Sequence, residues 1–178
     1  MSMPKPKVWI ARDYARCSGC RLCEVACALH HEGRIWPEAS RVRVFMLVPG
    51  VEVPHLCTQC HDYPCVTACP VHALSVDDET GAVLVNDDQC TACGICIDAC
   101  PGQVPHCHPD RGRVVICDLC GGDPACAAIC ARAGYFALVK SSREPRQELH
   151  YDLYAKNPEA ITRDLAINLY GETGEALI

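Results

Sequence analysis

The sequence predicts an α+β fold of short strands and short helices, closed by a C-terminal helical tail. Three observations lead there. Seventeen of the 178 residues are cysteine, and all but one fall into four quartets. Short runs rich in β-branched residues flank the quartets and read as strands. After Ser141 the cysteines stop and the composition shifts. Aromatic residues are only 6% of the chain, with two Phe and two Trp, which is thin for a hydrophobic core. Small cores of that kind are supplemented by metals or disulfides. The apoprotein is therefore expected to fold poorly without its metal.

Taken in order, residues 7–11 (KVWIA) suit a short strand. Cys17, Cys20, Cys23 and Cys27 follow at spacings x2, x2, x3. Residues 28–37 form a connector, and 41–48 (RVRVFMLV) alternate like a half-buried strand that ends at Pro49-Gly50. Cys57, Cys60, Cys65 and Cys69 are spaced x2, x4, x3, with the turn-forming HDYP in the longer gap and Pro70 after the last. Residues 74–76 and 82–86 read as a hairpin around a turn at 77–81. It leads into Cys90, Cys93, Cys96 and Cys100, spaced x2, x2, x3 and closed by Pro101. A turn-rich segment carries the unpaired Cys107, and 113–116 read as a strand. Cys117, Cys120, Cys126 and Cys130 follow at x2, x5, x3, with no proline after them. Residues 136–140 (FALVK) are the expected closing strand, a partner for 7–11. Residues 141–157 read as extended and polar. Asn157-Pro158-Glu159 starts a helix, with Ile161, Leu165 and Leu169 at four-residue spacing and Gly171 as its stop.

Each quartet places three cysteines in a tight loop and a fourth on the segment leaving it. Three loop thiolates can wrap three corners of a [4Fe-4S] cubane, and the run Cys90 to Pro101 matches the C-x2-C-x2-C-x3-C-P pattern of bacterial ferredoxins. In that pattern the fourth thiolate reaches a second cluster. A mononuclear zinc site wants two widely separated pairs instead. A disulfide framework is the third reading, and iron content and colour separate the three.

The four quartets together resemble the four-cluster ferredoxin subunits of molybdenum and tungsten oxidoreductases, over about residues 7–140. The stretches CRLCEVACALHHEG and CDLCGGDPAC look most like the small subunits that accompany tungsten enzymes of the aldehyde oxidoreductase family. The resemblance implies nested two-cluster modules within 1–140, the inner one about 53–105, with 141–178 as a tail that docks a partner or a second copy. It implies four [4Fe-4S] clusters. Cys17, Cys20, Cys23 and Cys130 would hold the first, and Cys27, Cys117, Cys120 and Cys126 the second. Cys57, Cys60, Cys65 and Cys100 would hold the third, and Cys69, Cys90, Cys93 and Cys96 the fourth. The last quartet departs from the pattern in its x5 gap and missing proline, which reshapes that loop.

The implied function is relay of single electrons to or from a catalytic tungsten- or molybdenum-pterin subunit, with a flavin or ferredoxin as further electron partner. A dimethyl-sulfoxide-reductase-type or hydrogenase complex and a free polyferredoxin carrier are the competing readings. The sequence contains no nucleophile elbow, phosphate-binding loop or nucleotide fingerprint, so the chain reads as non-catalytic. Its formal charge of −6 argues against nucleic-acid binding, and about −2 per cluster brings the loaded chain to roughly −14. No apolar stretch is long enough to span a bilayer, no signal peptide precedes the first quartet, and the expected location is the cytoplasm.

Outside the quartets, Cys107 is expected as a small buried thiol. His61, His106 and His108 read as solvated or satisfied loop histidines. Pro70 and Pro101 shape the turns after their cysteines. Lys5, Lys7, Arg12, Arg16 and Arg21 read as a solvated basic face.

Overall fold

A computed structural model describes residues 7–142 and 147–177. Among them the strands form four separate two-stranded antiparallel pairs. Strand β1 (Trp9–Arg12) pairs with β8 (Leu138–Ser141), Trp9 opposite Ser141 and Arg12 opposite Leu138. This joins the two ends of the cysteine-bearing region, as the sequence pattern predicts, with the first strand shifted toward Arg12. Strand β2 (Arg43–Val48) pairs with β3 (Val51–His55), which the sequence did not mark. Pro54 lies in β3, and a two-stranded ribbon tolerates it because both of its strands are edges. The hairpin of β4 (Leu74–Val76) and β5 (Val83–Val85) lies where expected. The fourth ribbon pairs β6 (His106–Cys107), within the segment expected to be turns, with β7 (Val114–Val115).

Four helices leave the cysteine loops: α1 (Leu22–Glu32), α2 (Pro64–Thr67), α3 (Ile95–Asp98) and α4 (Ala125–Arg132). Helix α1 packs on α4, and α2 on α3. The interior follows the same pairing. Ile10, Val42, Val44, Leu56, Leu119 and Leu138 pack with Cys23, Cys27, Cys117 and Cys126. Leu74, Val83, Val114 and Ile116 pack with Cys65, Cys69 and Cys96. Thiols thus occupy places that large aliphatic or aromatic side chains fill in an ordinary core.

The C-terminal region departs from the expected extended chain. Helix α5 (Gln147–Tyr154) lies inside the stretch expected to be extended. Helix α6 (Pro158–Tyr170) is capped as the sequence predicts: the Asn157 side chain accepts from the Ala160 N–H at 2.9 Å, and Gly171 ends it at φ +60°. A short α7 (Glu172–Glu175) follows. Helix α6 lies on the β2–β3 ribbon, with Ile161 packed among Val48, Val51 and Val53. Ile161 and Leu165 thus pack on their own chain, while Ile167, Leu169 and Tyr170 of the same helix stay exposed. Among the described residues no helix is long and apolar enough to cross a membrane.

Candidate metal centres

The four cysteine loops share one backbone path. The residue just before the second cysteine is left-handed in every quartet: Gly19 (φ +68°), Gln59 (+56°), Ala92 (+53°) and Leu119 (+58°). Residues of this kind turn successive N–H groups toward one concave side. A second left-handed residue precedes three of the helices, Arg21 before α1, Tyr63 before α2 and Gly94 before α3. The third cysteine of each quartet is then the second residue of its helix: Cys23, Cys65, Cys96 and Cys126. The fourth follows one turn later, on the same side of the helix path.

These loops bring the sixteen quartet thiols together in crossed sets. One cleft, of about 340 Å³ with its open mouth included, is lined by Cys17, Cys20, Cys23 and Cys130. A second, of about 400 Å³, is lined by Cys57, Cys60, Cys65 and Cys100. A third, of about 300 Å³, is lined by Cys69, Cys90, Cys93 and Cys96. Cys27 lies within electrostatic reach of Cys117, Cys120 and Cys126, so the remaining four thiols gather as well. None of the seventeen cysteines is in a disulfide. Cys107 belongs to none of these groups, and it is exposed rather than buried. On the two-residue β6, His106 faces inward and strand alternation turns Cys107 out.

The chemistry of the donor set fits an iron–sulfur cluster. Burial pushes Cys23, Cys60 and Cys65 up to about 12 and Cys57, Cys96 and Cys120 to about 11, and neighbouring thiols and carboxylates push the same way, against Arg12 at Cys57 and Arg41 at Cys120. Thiols that cannot ionise together in water-poor surroundings do so when they face a cationic core. Val44, Pro54 and Leu138 wall the first cleft, and Val83, Val104 and Ile116 the second, so sulfur dominates the donors on offer. Backbone N–H groups donate to thiol sulfurs: Arg41 to Cys27 at 3.2 Å, Ala73 to Cys69 at 3.3 Å, and Gln59 to Cys57 and Val114 to Cys90 at 3.4 Å.

Two further side chains lie against these cysteines, and the sequence alone assigns neither to a site. His31 stands four residues after Cys27 on α1. Its Nδ1 lies 2.8 Å from the Cys27 carbonyl and 3.7 Å from Cys27 Sγ, and its Nε2 lies 2.9 Å from Asp118. Burial alone would pull its pKa down, but the bonds to Asp118 and Cys27 outweigh it and raise it to about 10. Burial would likewise raise Cys27, yet the His31 bond, with the Arg41 N–H, holds its thiol below the usual range. The C-x3-H spacing was the available signal, since residues four apart share a helix face.

Arg12 is the other. The sequence predicts it on a solvated basic face, but only 5% of it is exposed. It faces inward because β1 covers the protein interior, and its guanidinium donates to the carbonyls of Leu56 at 2.8 Å and Cys57 at 3.0 Å. Lys7, Arg16 and Arg21 are exposed as expected, and Lys5 lies outside the described residues. Of the loop histidines, His61 is exposed against Tyr151, and His106 is half-buried. His108 is buried, with Nε2 at 3.4 Å from Glu32, which also pairs with Arg41 and Arg111.

The family described as "4Fe-4S dicluster domain" matches residues 50–140. The chain belongs to that family. A relative in Pyrococcus furiosus, "Aliphatic sulfonate oxidoreductase, polyferredoxin-like subunit", is 55% identical over 93% of this chain and 95% of its own length. "Electron transport protein HydN" of Escherichia coli is 33% identical over 76% of this chain and 90% of its own. "Thiosulfate reductase electron transfer subunit PhsB" of Salmonella typhi is 35% identical over 66% of this chain and 68% of its own. This dicluster-family chain is an iron–sulfur electron-transfer subunit of the kind found in oxidoreductase complexes.

Proposed function

We propose that the chain carries four [4Fe-4S] clusters in a row and relays single electrons to or from a catalytic subunit with a tungsten- or molybdenum-pterin centre. The observation that supports this best is the crossing of the clefts, each lined by three thiols of one loop and one of another. The ligand sets are Cys17, Cys20, Cys23 and Cys130; Cys27, Cys117, Cys120 and Cys126; Cys57, Cys60, Cys65 and Cys100; and Cys69, Cys90, Cys93 and Cys96. The clusters supply one-electron storage and transfer. The chain holds them in order, since each neighbouring pair of sites brings thiols close together. Cys23 neighbours Cys126, Cys57 neighbours Cys117, and Cys65 neighbours Cys96. In this row the two end sites each present an exposed thiol, Cys20 and Cys93, and electrons enter and leave there.

The four-site body spans about 1–140, with the inner module at about 53–105. The sequence resemblance favours a tungsten enzyme of the aldehyde oxidoreductase type as the catalytic partner. The relative at 55% identity suggests an enzyme that acts on aliphatic sulfonates. Purification under exclusion of oxygen tests the whole reading: the chain should co-elute with a large subunit carrying tungsten or molybdenum. Elution alone, free of both metals, turns the assignment toward a free carrier. The crossed ligation has its own test. Cys100→Ala should damage the cluster held by Cys57, Cys60 and Cys65 and spare the one held by its loop neighbours Cys90, Cys93 and Cys96. Loss confined to the latter refutes the crossing.

A further inference from the structure

We propose that the C-terminal segment completes the Cys57–Cys60–Cys65–Cys100 site, and that Arg12 is the positioning residue that clamps it there. The inference rests on the cluster assignment above. Sequence position sets the segment apart from the quartets, yet Ala155 lines the cleft of these four thiols. The chain is pinned on either side of that alanine. The Tyr154 carbonyl accepts from Thr58 Oγ1 at 3.0 Å and from Arg12 at 3.5 Å. The Tyr154 hydroxyl donates back to the Arg12 carbonyl at 2.8 Å, and its ring lies 4.8 Å from the Arg12 guanidinium. The Lys156 carbonyl comes so near Gly102 that a Cβ there would meet it at 3.4 Å. Gly102 in turn receives the buried His55 side chain at 2.7 Å.

Arg12 therefore joins three separate parts of the chain. It rises from β1, holds the carbonyls of Leu56 and Cys57 at the mouth of the cysteine loop, and grips Tyr154 of the tail. None of these groups offers a sulfur or any other ligand. What they do is keep water off the wall of one mid-row site. Excluding water disfavours the more negative, reduced state of a thiolate-bound cluster, so the clamp holds the potential of that cluster down.

Arg12→Lys keeps the charge but loses the planar fork, and Tyr154→Phe removes a single hydroxyl. Each is compared with the unaltered full-length protein by two measurements: iron release to a chelator, and an EPR-monitored redox titration. One cluster's share of the iron should leave roughly tenfold faster in Arg12→Lys, the size of one lost charge-assisted hydrogen bond, and several-fold faster in Tyr154→Phe. In both variants one potential should rise while the other three hold. Uniformly faster release, parallel shifts of all potentials, or no change in either variant overturns the proposal. If Arg12→Lys fails to fold, Tyr154→Phe decides. Iron short of four clusters in the unaltered protein marks failure of the cluster assignment instead, and is read before any variant.

Discussion

At the scale of single residues, the side chains that tune a centre matter alongside those that hold it. His31 is the clearest case. Its ring bridges Asp118 and the Cys27 sulfur, and its pKa near 10 keeps it a cation at neutral pH. A positive charge and a donor at a ligand sulfur stabilise the extra electron of a reduced cluster. His31→Gln keeps a polar group of similar reach but removes the charge. The midpoint of one cluster should fall by about 60 mV, the one-electron equivalent of about 1.4 kcal/mol. Redox titration followed by EPR reads this directly, and an unchanged set of potentials would show that the histidine serves packing alone. The four cysteine loops were legible because the spacing of their cysteines sets them apart from the rest of the chain. The left-handed residues at the same turns were not. Only Gly19 of the four betrays its backbone, since Gln59, Ala92 and Leu119 are residues that ordinarily avoid positive φ. There the fold imposes the conformation against local preference.

At the scale of elements, legibility followed the range of the stabilising contacts. The β4–β5 hairpin and α6 were visible because each is specified locally, by alternation around a turn and by Asn157 with Pro158. Strand β3 contains Pro54, and β6 is two residues long, so neither carries a pattern of its own. Helix α5 has no marked local start, and its contacts run through Tyr151 to His61 and Tyr154 to Arg12, far off in sequence. Helix α6 invites a test of what the tail does. Ile161 is 2% exposed and wedged among Val48, Val51 and Val53. Ile161→Ala should cost about 2–4 kcal/mol of the docking energy, from lost burial and the cavity left behind. Limited proteolysis should then cut the tail much faster while the iron of the two end sites stays bound. Unchanged tail protection would mean that α6 is held by something other than this contact.

At the scale of the whole molecule, the decisive fact is where the sulfur sits. Both groups of buried side chains that join the cysteine loops contain the thiols themselves, Cys23, Cys27, Cys117 and Cys126 in one and Cys65, Cys69 and Cys96 in the other. Four ribbons, each only two strands wide, surround them, and an isolated two-stranded ribbon is marginal in water. A domain of ordinary size is stable by about 5–15 kcal/mol in total. A structural metal site contributes on the order of 10 kcal/mol where its ligands come together only on folding. With several such sites in one small chain, metal binding would exceed the whole net stability of an ordinary domain. Stripping the iron anaerobically, with the thiols kept reduced, should therefore abolish the cooperative unfolding transition and most of the ordered far-UV signal. Restoring iron and sulfide should bring both back. An iron-free chain that keeps a native spectrum and melts sharply would place the stability in the ribbons and helices, and would recast the thiol sets as passengers in a fold that stands without them.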